Sequence, residues 1–128
     1  MDVVAQEMEA QKTGRKMTKT AVVILNWNGR KFLELFLPAV IKYSEGEDCE
    51  IIVADNGSTD DSLEYLGKEY PGLRLVELGH NYGFAGGYNE ALKNIDSEYF
   101  VLLNSDVEVS PGWLTNIISY MDEHPGVA

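Results

Sequence analysis

Ile51-Ile52-Val53-Ala54 runs without a break into Asp55-Asn56-Gly57-Ser58-Thr59-Asp60, and this junction decides the fold. Four apolar residues, three of them β-branched, read as a short strand buried on both faces. The polar residues that follow suit a turn and then a helix start, with Ser58 as a hydroxyl cap and Asp61 in the first turn. The helix predicted from this signal runs to about Lys68.

The same unit recurs on either side. Upstream, Ala21-Val22-Val23-Ile24-Leu25 is apolar and is interrupted by Asn26-Trp27-Asn28-Gly29. Phe32, Leu33, Phe36, Leu37, Val40 and Ile41 then form a helical stripe, within which Pro38 is expected to kink the helix or break it in two. Downstream, Pro71-Gly72 turns the chain into a strand from Leu73 to Leu78. The glycine-rich loop His80-Asn81-Tyr82-Gly83-Phe84-Ala85-Gly86-Gly87 follows, then a helix to about Asn94. Tyr99 to Leu103 is the fourth strand, ending in Asn104-Ser105-Asp106. Ser110-Pro111 is expected to open a last helix, which fades before Pro125.

The order βαβαβαβα predicts an α/β fold: a Rossmann-like, mostly parallel sheet with helices on both faces and right-handed crossovers. Ligands of such sheets bind beyond the carboxyl ends of the strands. Each strand here ends in polar or glycine-rich residues: Asn26, Asp55, the Asn81–Gly87 loop, and Asn104 with Asp106. The sheet would gather these segments along one edge.

Charge narrows the ligands. The 128 residues carry 21 acidic and 10 basic side chains, a net charge of −11. Such a surface repels a polyphosphate backbone, which argues against nucleic acid. A phosphorylated small molecule would then need a metal ion or local backbone donors. The single cysteine, Cys49, excludes an intrachain disulfide or a cysteine-rich zinc site. No apolar run approaches the roughly 20 residues that span a bilayer, and the N-terminus lacks the apolar stretch of a signal peptide. A cytoplasmic location is expected. Residues 1–19 have no useful periodicity and are expected to be a disordered leader or appended sequence, with 20–128 as the folded domain.

Three segments could carry chemistry. Asp55, directly after a buried strand, can accept hydrogen bonds from a nucleobase N–H or a ribose hydroxyl; Asp55-Asn56-Gly57-Ser58 equally suits a plain turn. Hard divalent cations that bridge substrate phosphates use only one or two carboxylates, and Asp106 can supply one. Asn104, two residues back, would share its side if the chain is extended there; a polar strand-to-helix turn explains Asn104-Ser105-Asp106 as well. Asn81 to Gly87 lets backbone approach a ligand closely, or makes a tight turn; Gly83, Gly86 and Gly87 do not have dinucleotide-fingerprint spacing. Trp27 and Trp113 are expected to be packing residues, with Trp27 beside the predicted site, and His80 and His124 to lie in a loop or cap.

Taken in order, these segments resemble family 2 glycosyltransferases of the GT-A type. Val22 to Gly29 looks like that family's first strand and loop, and Ile51 to Asp60 like its strand-plus-DGSTD segment. Asn81 to Asn89 looks like its glycine-containing loop and helix, and Leu102 to Asp106 like its metal-binding DxD region. The resemblance covers residues 21 to about 125. It implies a donor site for a nucleotide-diphosphate sugar, dTDP- or UDP-linked, in cell-envelope polysaccharide biosynthesis. By resemblance, Asp55 contacts the nucleobase, Asn26 lies near the nucleoside, and Asp106 binds Mn²⁺ or Mg²⁺ on the diphosphate. Asn28, Asn56, Gly57, Asn81, Gly86, Gly87, Asn104 and Ser105 complete the expected substrate contacts.

Two departures stand out: Asn104 replaces the first aspartate of DxD, and Tyr88 replaces an arginine common in the third segment. Both look like a rhamnosyltransferase-like branch. The resemblance further implies inversion at the sugar, a saccharide or lipid-linked acceptor, and possible peripheral membrane association of the complete enzyme. It puts the catalytic base and the acceptor half beyond Ala128. The alternatives are a non-catalytic nucleotide-binding or interaction module on the same scaffold, or an unrelated flavodoxin-like domain.

Overall fold

The computed structural model describes residues 3–7 and 18–124. In chain order the elements are β1 (Val3–Glu7), β2 (Thr18–Asn26), α1 (Arg30–Lys42), β3 (Cys49–Asp55), α2 (Ser62–Glu69), β4 (Arg74–Glu77), α3 (Gly83–Leu92), β5 (Ser97–Asn104) and α4 (Trp113–Glu123). They build one five-stranded sheet of order β1-β5-β2-β3-β4. β5, β2, β3 and β4 run parallel, as the alternation of strands and helices predicts. β1 adds an antiparallel edge.

That edge corrects the reading of residues 1–19 as a leader. Val3–Glu7 pairs with Leu103–Tyr99, and β2 already starts at Thr18. A five-residue strand on its own carries too little pattern to be read; partner strand β5 supplies the backbone hydrogen bonds that define it. The rest of the leader falls at 8–17, outside the described residues, as does the chain from Pro125 on.

The sheet is covered on both faces. On one, Val22, Ile24, Val53, Val101 and Leu103 pack against Leu33, Leu37 and Val40 of α1, Leu66 of α2, and Trp113, Leu114 and Ile118 of α4. On the other, Ala21, Val23, Leu25, Ile52, Ala54 and Phe100 meet Tyr88 and Ala91 of α3 and Ile95. Successive strand residues alternate between the two cores, which is why the strands read as unbroken apolar runs. Burying each large aliphatic side chain contributes about 1.5–3 kcal/mol. Among the described residues no helix is long and apolar enough to cross a membrane.

Three local expectations change. Pro38 lies inside α1 without splitting it. It forfeits one backbone hydrogen bond, and the burial of Leu33, Leu37 and Val40 along one face keeps the helix whole. Ser58 does not cap α2, which starts at Ser62 with Asp61 at the cap. Ser110-Pro111 does not open α4 either: a turn intervenes, with the Trp113 N–H donating to Ser110 O, and Gly112 in a left-handed conformation (φ +79°) starts the helix at Trp113.

Candidate functional site

β2 lies between β5 and β3, so its carboxyl end has a functional segment on each side. Asn26 is in register with Asp55, and Leu25 with Asn104. Asn26 is fully buried and Asp55 is 2% exposed. The Asn26 amide donates to Asp55 Oδ1 at 3.0 Å. The Ser58 hydroxyl donates to the same oxygen at 2.7 Å, and the Ser58 N–H donates to Oδ2 at 2.9 Å. Hydrogen bonds thus hold the buried carboxylate, which pairs with no cation among the described residues. A carboxylate has about four lone-pair directions, so these three bonds leave one on Oδ2.

The loops are tied to one another by asparagines. Asn28 takes a left-handed conformation (φ 49°), which asparagine tolerates better than most residues. Its Oδ1 accepts from the N–H groups of Thr59 (2.7 Å) and Asp60 (3.1 Å), and its own N–H donates to Ser58 Oγ at 2.9 Å. Asn56, also buried, donates to Asn81 Oδ1 and Gly83 O and accepts from the Tyr82 N–H at 3.0 Å. Gly57 (φ +77°) presses on the backbone of His80, and Gly87 on Asn56 and Leu25. Asn56 and Gly87 are buried and Gly57 is half-buried, and together they set the relative height of the second and third loops.

At the rim stand Asn81 of the third loop, Gly86 in the first turn of α3, which already begins at Gly83 inside the stretch expected to be a glycine-rich loop, and Ser105 and Asp106 after β5. Asn104-Ser105-Asp106-Val107 is a turn, closed by the Val107 N–H onto Asn104 O at 3.3 Å, not extended chain. Asn104 and Asp106 accordingly do not share a side as alternation would have it. Asn104 Oδ1 accepts from the Tyr88 hydroxyl at 2.9 Å, while Asp106 is exposed and bonds no described residue. Ser105 Oγ closes over Gly29, where a Cβ would lie 2.7 Å from it and 2.5 Å from Asn26 Oδ1.

Cations are scarce here. The Arg30 guanidinium pairs with Glu34, lies 3.9 Å from Asp61 and sits 4.2 Å over the Tyr65 ring. It belongs to the α1–α2 contact. Among the described residues no three His, Cys, Asp or Glu side chains cluster as a metal cage. Asp106 instead fits the other mode of hard-cation binding, one exposed carboxylate that leaves most of the coordination sphere to phosphate and water.

Sequence reasoning missed two residues and misplaced a third. Ser58 reads as a cap, but its hydroxyl joins Asn26, Asn28 and Asp55. Gly29 belongs to the first loop, and only the folded chain shows that a side chain there would strike two others. Trp27, expected in the packing, is 54% exposed beside the site, whereas Trp113 is buried as expected. His80 lies in the third loop against Tyr82, and His124 ends α4.

Residues 21–128 match Glycosyl transferase family 2, and the chain belongs to that family. The poly(ribitol-phosphate) beta-N-acetylglucosaminyltransferase TarS of Staphylococcus aureus is 28% identical over 112 residues, covering 84% of this chain and 20% of that protein. In the crystal structure of TarS 1–349 in complex with UDP-GlcNAc, 83% of this chain superposes on 32% of that one with TM-score 0.71 and 26% identity. The N-acetylglucosaminyl-diphospho-decaprenol L-rhamnosyltransferase of Mycobacterium tuberculosis is 24% identical over 115 residues, covering 81% of this chain and 37% of that protein. A mannosyltransferase from Pyrobaculum calidifontis, in complex with GDP-Man and Mn²⁺, shares the fold: TM-score 0.73, 22% identity, 95% of this chain and 37% of that chain. The chain spans 33%, 16% and 20% of the length of the first three curated relatives it matches.

Proposed function

We propose that this chain is the donor-binding part of a glycosyltransferase that moves a sugar from a nucleoside diphosphate to an acceptor hydroxyl, with inversion and with help from a divalent cation. One observation carries the reading. Asp55 and the Asn104–Asp106 turn flank the end of β2 from opposite sides, two strand spacings (about 10 Å) apart. A nucleoside diphosphate has its base and its diphosphate on opposite sides of the ribose, and so can bridge two such ends.

The open lone pair of Asp55 Oδ2 accepts a nucleobase N–H, and the Asn26–Ser58 bonds hold it in place. The diphosphate comes to lie toward Asp106. Mn²⁺ or Mg²⁺, when bound, neutralises charge that builds on the leaving diphosphate. Asn28, Asn81, Gly86, Asn104 and Ser105 form the rim that contacts the donor. Asn56, Gly57 and Gly87 support it from beneath. The TarS complex with UDP-GlcNAc makes UDP-sugars the first donors to try; the resemblance in the sequence adds dTDP-sugars, a saccharide or lipid-linked acceptor and a cytoplasmic location.

Thermal unfolding with UDP-, dTDP- and GDP-sugars, each with and without Mn²⁺ or Mg²⁺, tests the donor site. A ligand at about 20 times its Kd stabilises by roughly 1.8 kcal/mol, an upward shift in Tm of about 5–10 °C for a domain of this size. A metal-enhanced shift with one nucleotide supports the reading and identifies the base. No shift with any donor overturns it for this chain. Retained anomeric configuration in the product would overturn inversion.

A further inference from the structure

Asn-Gly occurs twice in the chain, at Asn28-Gly29 and at Asn56-Gly57, and both pairs lie in the loops of the site. An asparagine followed by glycine can lose its side-chain amide without a catalyst. The next backbone nitrogen attacks the side-chain carbonyl carbon, and glycine puts no Cβ in the way. The two pairs stand in opposite surroundings. Asn56 is 3% exposed, and its amide nitrogen donates to Asn81 Oδ1 at 3.2 Å and to Gly83 O at 3.0 Å. Asn28 is exposed, and its amide nitrogen bonds no described residue. Its Oδ1 instead meets two backbone donors, the N–H groups of Thr59 at 2.7 Å and Asp60 at 3.1 Å.

We propose that Asn28-Gly29 is a self-modification site, where spontaneous deamidation of the folded chain puts a carboxylate on the rim of the donor site. The Gly29 nitrogen forms a bond to Asn28 Cγ and gives up its proton to water. The bond from Cγ to the side-chain nitrogen breaks, and that nitrogen leaves as ammonia. Water then adds to either carbonyl of the resulting cyclic imide and opens it to aspartate or isoaspartate. In the first step negative charge builds on Oδ1, where the Thr59 and Asp60 N–H groups already point, a pair of donors placed for an oxyanion. At Asn56 only the Tyr82 N–H meets Oδ1, and two acceptors hold the nitrogen that would have to leave.

The consequence for binding rests on the donor-site reading above. An aspartate at 28 still offers an oxygen to the Thr59 and Asp60 N–H groups, so the first loop keeps its anchor and only charge is added. That charge repels an anionic donor. Isoaspartate also lengthens the main chain by one methylene just before Gly29. The space at Gly29 is already tight, because a Cβ there would lie 2.5 Å from Asn26 Oδ1 and 2.7 Å from Ser105 Oγ. The shift therefore reaches the residues that line the end of β2. Both products weaken donor binding as the molecule ages.

Peptide mass spectrometry after incubation in mildly alkaline buffer, with and without urea, gives the deamidation rate at each asparagine. In the folded chain Asn28 is expected to react about tenfold or more faster than Asn56. In urea the two are expected to react at comparable rates. Equal rates in the folded chain overturn the proposal, and so does a difference that persists unchanged in urea, which would belong to the flanking sequence and not to the fold. Asn28→Asp, the mimic of one product, is expected to lower UDP affinity about fivefold or more, with the loss shrinking as salt is added. An Asn28→Asp variant that binds UDP as the parent does overturns the effect on donor binding. Failure of UDP to bind any form strikes instead at the donor-site reading, because the deamidation rates are measured without a nucleotide.

Discussion

Asn26 and Asp55 are neighbours across two parallel strands, and their side chains meet at 3.0 Å with almost no exposure to solvent. The amide supplies one of three hydrogen bonds to a buried carboxylate. Asn26→Ala should therefore cost about 1.5–3 kcal/mol in chemical denaturation, the usual loss for a bond to a charged group. It should also weaken nucleoside binding, because Asp55 is then free to turn. Full stability in the alanine variant would show that Ser58 alone suffices to hold the carboxylate.

Gly57 and Gly46 both have positive φ, at +77° and +85°, but differ in surroundings. A Cβ on Gly57 would lie 2.5 Å from the His80 backbone, while one on Gly46 meets nothing within 4 Å. Gly46→Ala should cost only the backbone term, about 1–2 kcal/mol. Gly57→Ala should add an overpacking cost and lose about 2–4 kcal/mol in total. Paired urea titrations give the difference directly.

Asp106 is exposed and bonds no described residue. Asp106→Ala should leave the Tm of the ligand-free chain nearly unchanged, within about 0.5 kcal/mol. The part of donor affinity that depends on Mn²⁺ should disappear, as calorimetry at matched ionic strength would show. Undiminished metal enhancement would remove Asp106 from the cation site.

Burial pushes the Asp60 carboxyl up, but the hydroxyl and N–H of Ser62 and the N–H of Arg30 outweigh it and leave the group below the ordinary carboxylate range. A depressed folded pKa contributes stability that is present above the ordinary carboxylate value and is lost as pH falls through the folded one. Asp122, lowered by Lys19 and by the Tyr99 hydroxyl, acts in the same direction. Asp60→Asn should therefore make the acid limb of a Tm-against-pH curve shallower without flattening it. An unchanged acid limb would contradict the assignment.

Burial, with Glu47 and Asp48 nearby, pushes the Cys49 thiol above its ordinary value. Labelling by a disulfide reagent at neutral pH should be slow in the folded chain and fast in urea, and should accelerate as pH rises past the usual thiol range. Equal rates in the two states would place Cys49 in a more open setting.

The four parallel strands were legible because each is an apolar run ended by polar residues, a pattern that burial on both faces imposes. Asp55 and Asp106 could be picked out because one ends a strand and the other lies just past one. What the sequence hid depends on distant partners. β1 is a strand only because β5, nearly a hundred residues away, pairs with it. Ser58 looked like a helix cap since its local neighbours suit one, yet its hydroxyl also meets a strand end and a loop 32 and 30 residues upstream. Asn104 and Asp106 were expected on one side because alternation was extended one residue too far, past the point where the chain turns. Tyr88 could be noticed as a substitution, but only the packing of α3 on β5 brings it to Asn104.

The strand order also bears on how the molecule comes into being. β2, β3 and β4 can pair as soon as they are made, and the Asn26–Asp55 contact can form with them. β5 leaves the ribosome after the other four described strands, yet it fills an interior place between β1 and β2. Until it arrives, the apolar edge of β2 stands unpaired, open to any other nascent chain. The half of the site that holds Asp55 is thus assembled first, and the half that holds Asp106 is completed only as the open edge is sealed.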